Sequence, residues 1–185
     1  MKTLSYFILF AFLLSCAGPE PRKPIKVQSG SFYKESVERN KKLLAEEEQL
    51  IREIITRDSL HQYISSASGS WYYYDNKVEG EGILPEPDDL VTLSYDIRNL
   101  QNDTIYKADE IGVITYKVDK QELFPGLRNA VKLLKENEVA TFLVPSSLGY
   151  GYHGDDKRIG INVPLKTTIS ILKIEKQQKK DKTVN

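Results

Sequence analysis

The sequence has a single cysteine, Cys16, so it can form neither an intramolecular disulfide nor a multi-cysteine zinc site. Histidine is scarce too: His61 and His153 lie in different segments, and His153 beside Asp155 and Asp156 reads as a solvated loop rather than a metal site. There is no surplus of either charge, with 26 Lys+Arg against 26 Asp+Glu and a pI near 6.8. That balance argues against a nucleic-acid partner held by electrostatics. No G-x-S-x-G elbow, H-E-x-x-H pair or Walker loop occurs, and no nucleophile-base pair is visible. No metal and no cofactor is therefore expected. No apolar run approaches the roughly 20 residues a spanning helix needs. The 185 residues, 40% of them hydrophobic and 28% charged, suit one medium domain with extensions.

What is present begins at the N-terminus. Lys2 precedes an almost wholly apolar run from Leu4 to Leu14, the pattern of a secretory signal over residues 1–15. It closes in Leu13-Leu14-Ser15-Cys16, which resembles a bacterial lipobox. That resemblance implies cleavage before Cys16, attachment of acyl chains to it, and a membrane anchor. Two or more acyl chains hold a protein stably where one does not. The expected location is the cell envelope. Only Glu20 follows Cys16 closely, which favours the periplasmic face of the outer membrane over the cell surface. Residues 16–32, with three prolines and no apolar period, read as a tether.

A charged amphipathic helix is expected over 33–66. Leu43, Leu44, Leu50, Ile51, Ile54 and Ile55 form one stripe, and Glu38/Lys42, Glu48/Arg52 and Glu53/Arg57 are acid-before-base pairs four apart. Such a stripe must pack on its own domain, on a second copy, or on a partner. Residues 67–84 read as an aromatic strand, Trp71-Tyr72-Tyr73-Tyr74, at a sheet edge, then a linker with Gly80 and Gly82 marking a domain boundary.

The main domain is expected over 85–176, with a basic tail at 177–185. Strands are predicted at 90–97, 104–106, 111–118, 139–144 and 167–174. A short helix opens at Pro125, with Leu127, Ala130, Val131 and Leu134 on one face. Strands without βαβ alternation, plus one helix, indicate an α+β fold in which an antiparallel sheet wraps that helix. Tyr95, Tyr106, Leu123-Phe124-Pro125-Gly126-Leu127 and Gly149-Tyr150-Gly151-Tyr152 cluster at loop and helix edges, where they can line an apolar pocket.

At these residues the sequence resembles FKBP-type peptidyl-prolyl isomerases. The blocks that carry it are Val91 to Ile97, Lys120 to Leu127, Ala140 to Gly151 and Ile169 to Glu175. The whole chain further resembles the gliding-motility-associated FKBP-type lipoproteins of Bacteroidetes, which join a lipid anchor, a charged helix, a Trp-Tyr stretch and this domain. The resemblance implies a bent antiparallel sheet curled around one short helix, isomerase activity on proline-containing polypeptides, and partners in the envelope or gliding machinery, with helix-mediated self-association as an alternative. It implies catalytic roles for Tyr95, Phe124 and Tyr150, and a substrate pocket of Tyr106, Ile114, Leu123, Leu127 and Ile159. In that scheme Leu127 is the floor under the proline ring, and the Phe124 N–H and Tyr150 hydroxyl bond the peptide carbonyls. The chain departs from the family at Tyr106-Lys107, where Phe-Asp is usual, so the pocket carboxylate is expected to be missing. Leu127 replaces a tryptophan, Thr167 an aromatic, and Ile159-Gly160-Ile161-Asn162 an Ile-Pro-Pro turn. A wider, less pre-organised pocket and weaker activity follow, or a binding module without turnover.

Overall fold

A computed structural model describes residues 29–177. The expected signal, Cys16, most of the tether, and the tail beyond Gln177 lie outside them. Among the described residues, those from Val37 onward belong to one compact unit. Among the described residues no helix is long and apolar enough to cross a membrane.

The first helix, α1, spans Ser29–Arg57, so it opens before the expected Tyr33 and stops well short of 66. Asp58 ends it. Its carboxylate accepts the Leu60 N–H (3.1 Å) and the Tyr63 hydroxyl (3.0 Å) and pairs with His61 Nδ1 (2.8 Å). A side chain that captures downstream donors competes with the helix ladder, and no glycine or proline is needed to stop it. Of the expected ion pairs, Glu48–Arg52 (3.2 Å) and Glu53–Arg57 (3.3 Å) form, whereas Lys42 reaches Glu46 (3.8 Å) rather than Glu38.

Eight strands follow, all antiparallel: β1 (Ile64–Ser65), β2 (Trp71–Asn76), β3 (Leu90–Tyr95), β4 (Ile97–Asn99), β5 (Thr104–Tyr106), β6 (Ile114–Lys117), β7 (Val139–Val144) and β8 (Leu165–Glu175). A short helix α2 (Ala108–Ile111) precedes β6, and α3 (Pro125–Val131) precedes β7. The sheet order is β1-β2-β7-β8-β3-β6, with β4 on β8 and β5 on β4. Two sequence expectations are corrected here. The run 111–118 is not one strand, because α2 takes its first residue and Gly112, at φ +78°, breaks the chain before β6. Nor do residues 67–84 separate two bodies. β2 pairs with β7 from Trp71↔Leu143 to Asn76↔Val139 and lies inside the sheet, flanked by β1.

The strand periodicity of two then explains the packing. On one face Ala140, Phe142 and Val144 of β7 join Leu165, Ile169 and Ile171 of β8, Val91 and Leu93 of β3, and Leu127, Ala130 and Val131 of α3 in one core. Tyr72 belongs to that face and stacks on Phe142 at 4.9 Å. Tyr73 points the other way and stacks on His61 at 3.9 Å. On that opposite face Ile51, Leu100 and Leu143 form a second cluster with Ile54, Ile55, Tyr63 and Trp71. The C-terminal half of the α1 stripe, Ile51, Ile54 and Ile55, is thus spent on its own sheet, and the aromatic run is packing rather than a ligand platform. β2, with both faces covered, is no edge.

Gly126 sets how closely α3 approaches the sheet. A Cβ there would lie 2.6 Å from Val144 Cγ1 and 3.0 Å from the Leu148 carbonyl, so only glycine fits without moving backbone.

Candidate functional site

Three aromatic side chains converge at the open end of the core. Tyr95 ends β3, Phe124 stands one residue ahead of α3, and Tyr150 sits in the loop after the 3₁₀ turn Ser146–Leu148. The Phe124 ring lies 5.3 Å from Tyr150 and 6.5 Å from Tyr95, edge-on to the latter. Tyr95 and Tyr150 stand between two halves of one cleft. One half, about 450 Å³, is lined by Glu122, Leu123, Phe124, Pro125, Arg128 and Gly149. The other, about 290 Å³, is lined by Ile97, Tyr106, Ile111, Asp155 and Lys157. Both fall near the range of ordinary small-ligand clefts.

Of the residues expected at the site, Tyr95, Tyr106, Leu123, Phe124 and Tyr150 meet at this cleft. Leu127, Ile114 and Ile159 line neither half. Leu127 is wholly enclosed among the core residues of α3, where it shares the inward face with Ala130 and Val131. Ile159 is buried in the same core, and half-buried Ile114 packs against it from β6. With no exposed surface, Leu127 contributes no floor to the hollow. Thr167 is also enclosed, its hydroxyl donating to the Asp96 carbonyl at 2.6 Å.

The expected absence of a pocket carboxylate is overturned. Asp155, in the loop between β7 and β8, accepts the Tyr106 hydroxyl on one oxygen. Its other oxygen accepts the backbone N–H groups of Lys157 (3.0 Å), Arg158 (2.9 Å) and Ile159 (2.7 Å). Burial raises the Asp155 carboxyl, but the bonds from Tyr106 and these N–H groups outweigh it and hold the group below its ordinary value. Arg158 closes the loop from outside. Its guanidinium donates to the Ile105 carbonyl (3.0 Å), pairs with Glu110 and lies 4.7 Å from the Tyr106 ring centre. Sequence reading missed Asp155 because its partner is distant in the chain. The one local signal is an Asp followed by three free N–H groups in a loop.

A second missed residue is Glu47 of α1. Its carboxylate is buried and accepts both the Ser146 N–H (2.7 Å) and the Ser146 hydroxyl (2.6 Å). The Ser146 carbonyl in turn accepts the N–H groups of Gly149 (3.0 Å) and Gly151 (2.9 Å), the two neighbours of Tyr150. The helix therefore holds the turn that presents Tyr150. Nothing in a run of helical glutamates distinguishes this one before folding.

The chemistry available is that of an aromatic-lined hollow, with charged side chains at its margins and two free donors. Among the described residues neither the Tyr150 hydroxyl nor the Phe124 N–H has a hydrogen-bond partner. Burial, with Tyr95 and Asp155 nearby, pushes the Tyr150 phenol up to about 12, so it stays protonated through the neutral range. Burial also raises Tyr95. Such a site offers hydrogen bonds to a carbonyl and apolar contact to a ring, and no nucleophile.

Comparison with known proteins identifies this arrangement. Residues 82–172, just under half of the chain, match the family of FKBP-type peptidyl-prolyl cis-trans isomerases, and this segment is similar to it. A probable FKBP-type peptidyl-prolyl cis-trans isomerase, FkpA of Neisseria meningitidis serogroup B, is 33% identical over 129 residues, 69% of this chain. The match spans only 44% of that longer relative. Among solved structures, a peptidyl-prolyl cis-trans isomerase from Pseudomonas syringae pv. tomato superimposes with a TM-score of 0.58 at 16% identity, over 74% of this chain and 96% of that one. FkpA from Escherichia coli superimposes with a TM-score of 0.58 at 18% identity, over 94% and 81%. At such identities the structures establish the fold: FKBP-like, with an N-terminal helix.

Proposed function

We propose that this chain is a peptidyl-prolyl cis-trans isomerase carried on a lipid anchor in the cell envelope, where it assists folding or assembly of envelope and gliding-motility proteins. The observation that carries the enzymatic part is the meeting of Tyr95, Phe124 and Tyr150 around an aromatic-lined cleft with unspent donors. An X-Pro bond turns slowly because amide resonance opposes rotation by about 18–20 kcal/mol. The planar amide is the more dipolar form, so an apolar hollow stabilises it less than water does. The twisted form, with resonance lost, is disfavoured less. Binding the twisted form better than either planar form is the whole of the catalysis, with no covalent step. The anchor rests on Lys2, the apolar run and Leu13-Leu14-Ser15-Cys16; the motility role rests on family resemblance.

The assay is isomerisation of a tetrapeptide with leucine before proline, using the full chain. Slow but measurable turnover is expected, and folded protein that turns no faster than buffer rejects the enzyme. In that event a second reading stands, a binding module without turnover, which the missing floor at Leu127 favours. For the anchor, mass spectrometry of the N-terminus should find acylated Cys16 as the first residue; an intact, unmodified Cys16 removes it. In the source bacterium, loss of the protein should impair surface gliding, and normal gliding removes the motility role.

A further inference from the structure

A third hollow, of about 390 Å³, lies beside the prolyl cleft and shares Gly149 and Tyr150 with it. Its walls are α1, through Asn40, Leu43 and Leu44, and the loop through Tyr150, Tyr152 and Asn162. The two walls are tied at the base by Glu47 and Ser146. The groove thus continues the cleft past Tyr150 along the helix.

Its chemistry limits what it can hold. Leu43 and Leu44 are half-buried and Tyr152 is 70% exposed, so apolar surface faces the groove from both walls. The one carboxylate, Glu47, is buried and committed to Ser146, and apart from His153 no other titratable cationic or anionic side chain lines it. A phosphate, a nucleotide or a charged headgroup finds no counter-ion there beyond His153. Asn40 and Asn162 supply amide tips suited to a peptide backbone. The continuity with the prolyl cleft names the occupant: the chain that places its proline between Tyr95 and Tyr150 must run on past Gly149.

We propose that this groove is an extended subsite for apolar residues of an unfolded polypeptide, on one side of the proline being turned. The proposal rests on the isomerase reading for its setting. An extended chain rises about 3.4 Å per residue, so a tetrapeptide centred on the cleft barely enters the groove, whereas a polypeptide fills it.

The test compares two probes with the full chain: the tetrapeptide above, and a reduced, carboxymethylated protein whose refolding waits on one X-Pro bond. Leu43→Asp and Leu44→Asp should lower kcat/KM for the polypeptide about tenfold further than for the tetrapeptide, through KM, as loss of one buried leucine contact implies. Equal changes on both probes, or none on the polypeptide, overturn the proposal. If a leucine variant fails to fold by circular dichroism, Tyr152→Ser on the opposite, exposed wall must show the same split, and its absence is equally fatal. A dimer that Leu44→Asp dissolves in sedimentation would assign the groove to a second copy and also overturn it. Should the wild-type chain turn neither probe, the isomerase reading fails by itself. The groove is then judged by fluorescence anisotropy of the labelled unfolded protein, whose binding Leu43→Asp must weaken about tenfold.

Discussion

At the scale of single residues, Tyr150 and Asp155 divide the labour of the cleft. Tyr150 keeps its proton and has no partner, so its hydroxyl is free for a substrate carbonyl, while Asp155 is committed to Tyr106 and three backbone donors. Replacing Tyr150 with Phe removes one hydrogen bond and should lower kcat/KM about tenfold, the worth of roughly 1.4 kcal/mol, with the thermal midpoint unchanged. The pH profile of turnover should be flat from about pH 5 to about pH 9, because burial holds Tyr95 and Tyr150 above their ordinary values and hydrogen bonds hold Asp155 below its own. A carboxyl whose folded value lies below its ordinary 3.8 contributes stability above that value and loses it as the pH falls through the folded one. Loosening of the Asp155 loop, followed by Tyr fluorescence, is therefore expected only in acid, below about pH 4. Leu127→Trp, which restores the aromatic usual in the family, should destabilise the fold by about 1–3 kcal/mol in a denaturant titration, because the side chain is wholly enclosed and the core must move to admit it.

At the scale of elements, α1 matters less for its charge than for the single buried carboxylate it lends to the sheet domain. Glu47→Ala strands the Ser146 N–H in a buried place, and that should cost about 1–3 kcal/mol. Because Ser146 holds the N–H groups on either side of Tyr150, the same variant should also lose turnover on the tetrapeptide. Glu47→Gln, which keeps one acceptor, should recover part of both. A variant that loses stability but keeps full kcat would separate the helix from the site. The first turn of α3 makes a parallel case: Gly126→Ala forces Val144 and the Leu148 carbonyl apart and should displace the Phe124 corner as well as lower the melting temperature.

For the molecule as a whole, the sheet is covered twice, by α3 on one face and by the second half of α1 on the other. Helix and sheet therefore share one unit from residue 37 onward and should melt in a single transition observed identically by far-UV circular dichroism and Trp71 fluorescence. Ile51→Ala, at a side chain with no exposed surface, should lower that transition by about 2–5 kcal/mol without splitting it. Two transitions would show that α1 is an appendage.

Local rules made much of this legible. Alternation located β3, β7 and β8, helical spacing with Pro125 located α3, and the order of the blocks pointed to the family and to Tyr95, Phe124 and Tyr150. Each of these depends on a residue and its near neighbours, which a sequence displays directly. What the sequence could not display is which distant groups meet. The carboxylate given up at Lys107 returns at Asp155, one helical glutamate reaches across the fold to Ser146, and Leu127 withdraws from the cleft into the core. Those outcomes follow from closing the sheet around α3 and laying α1 on its back, because hydrogen-bond partners and enclosure are properties of the packed chain and not of any segment within it.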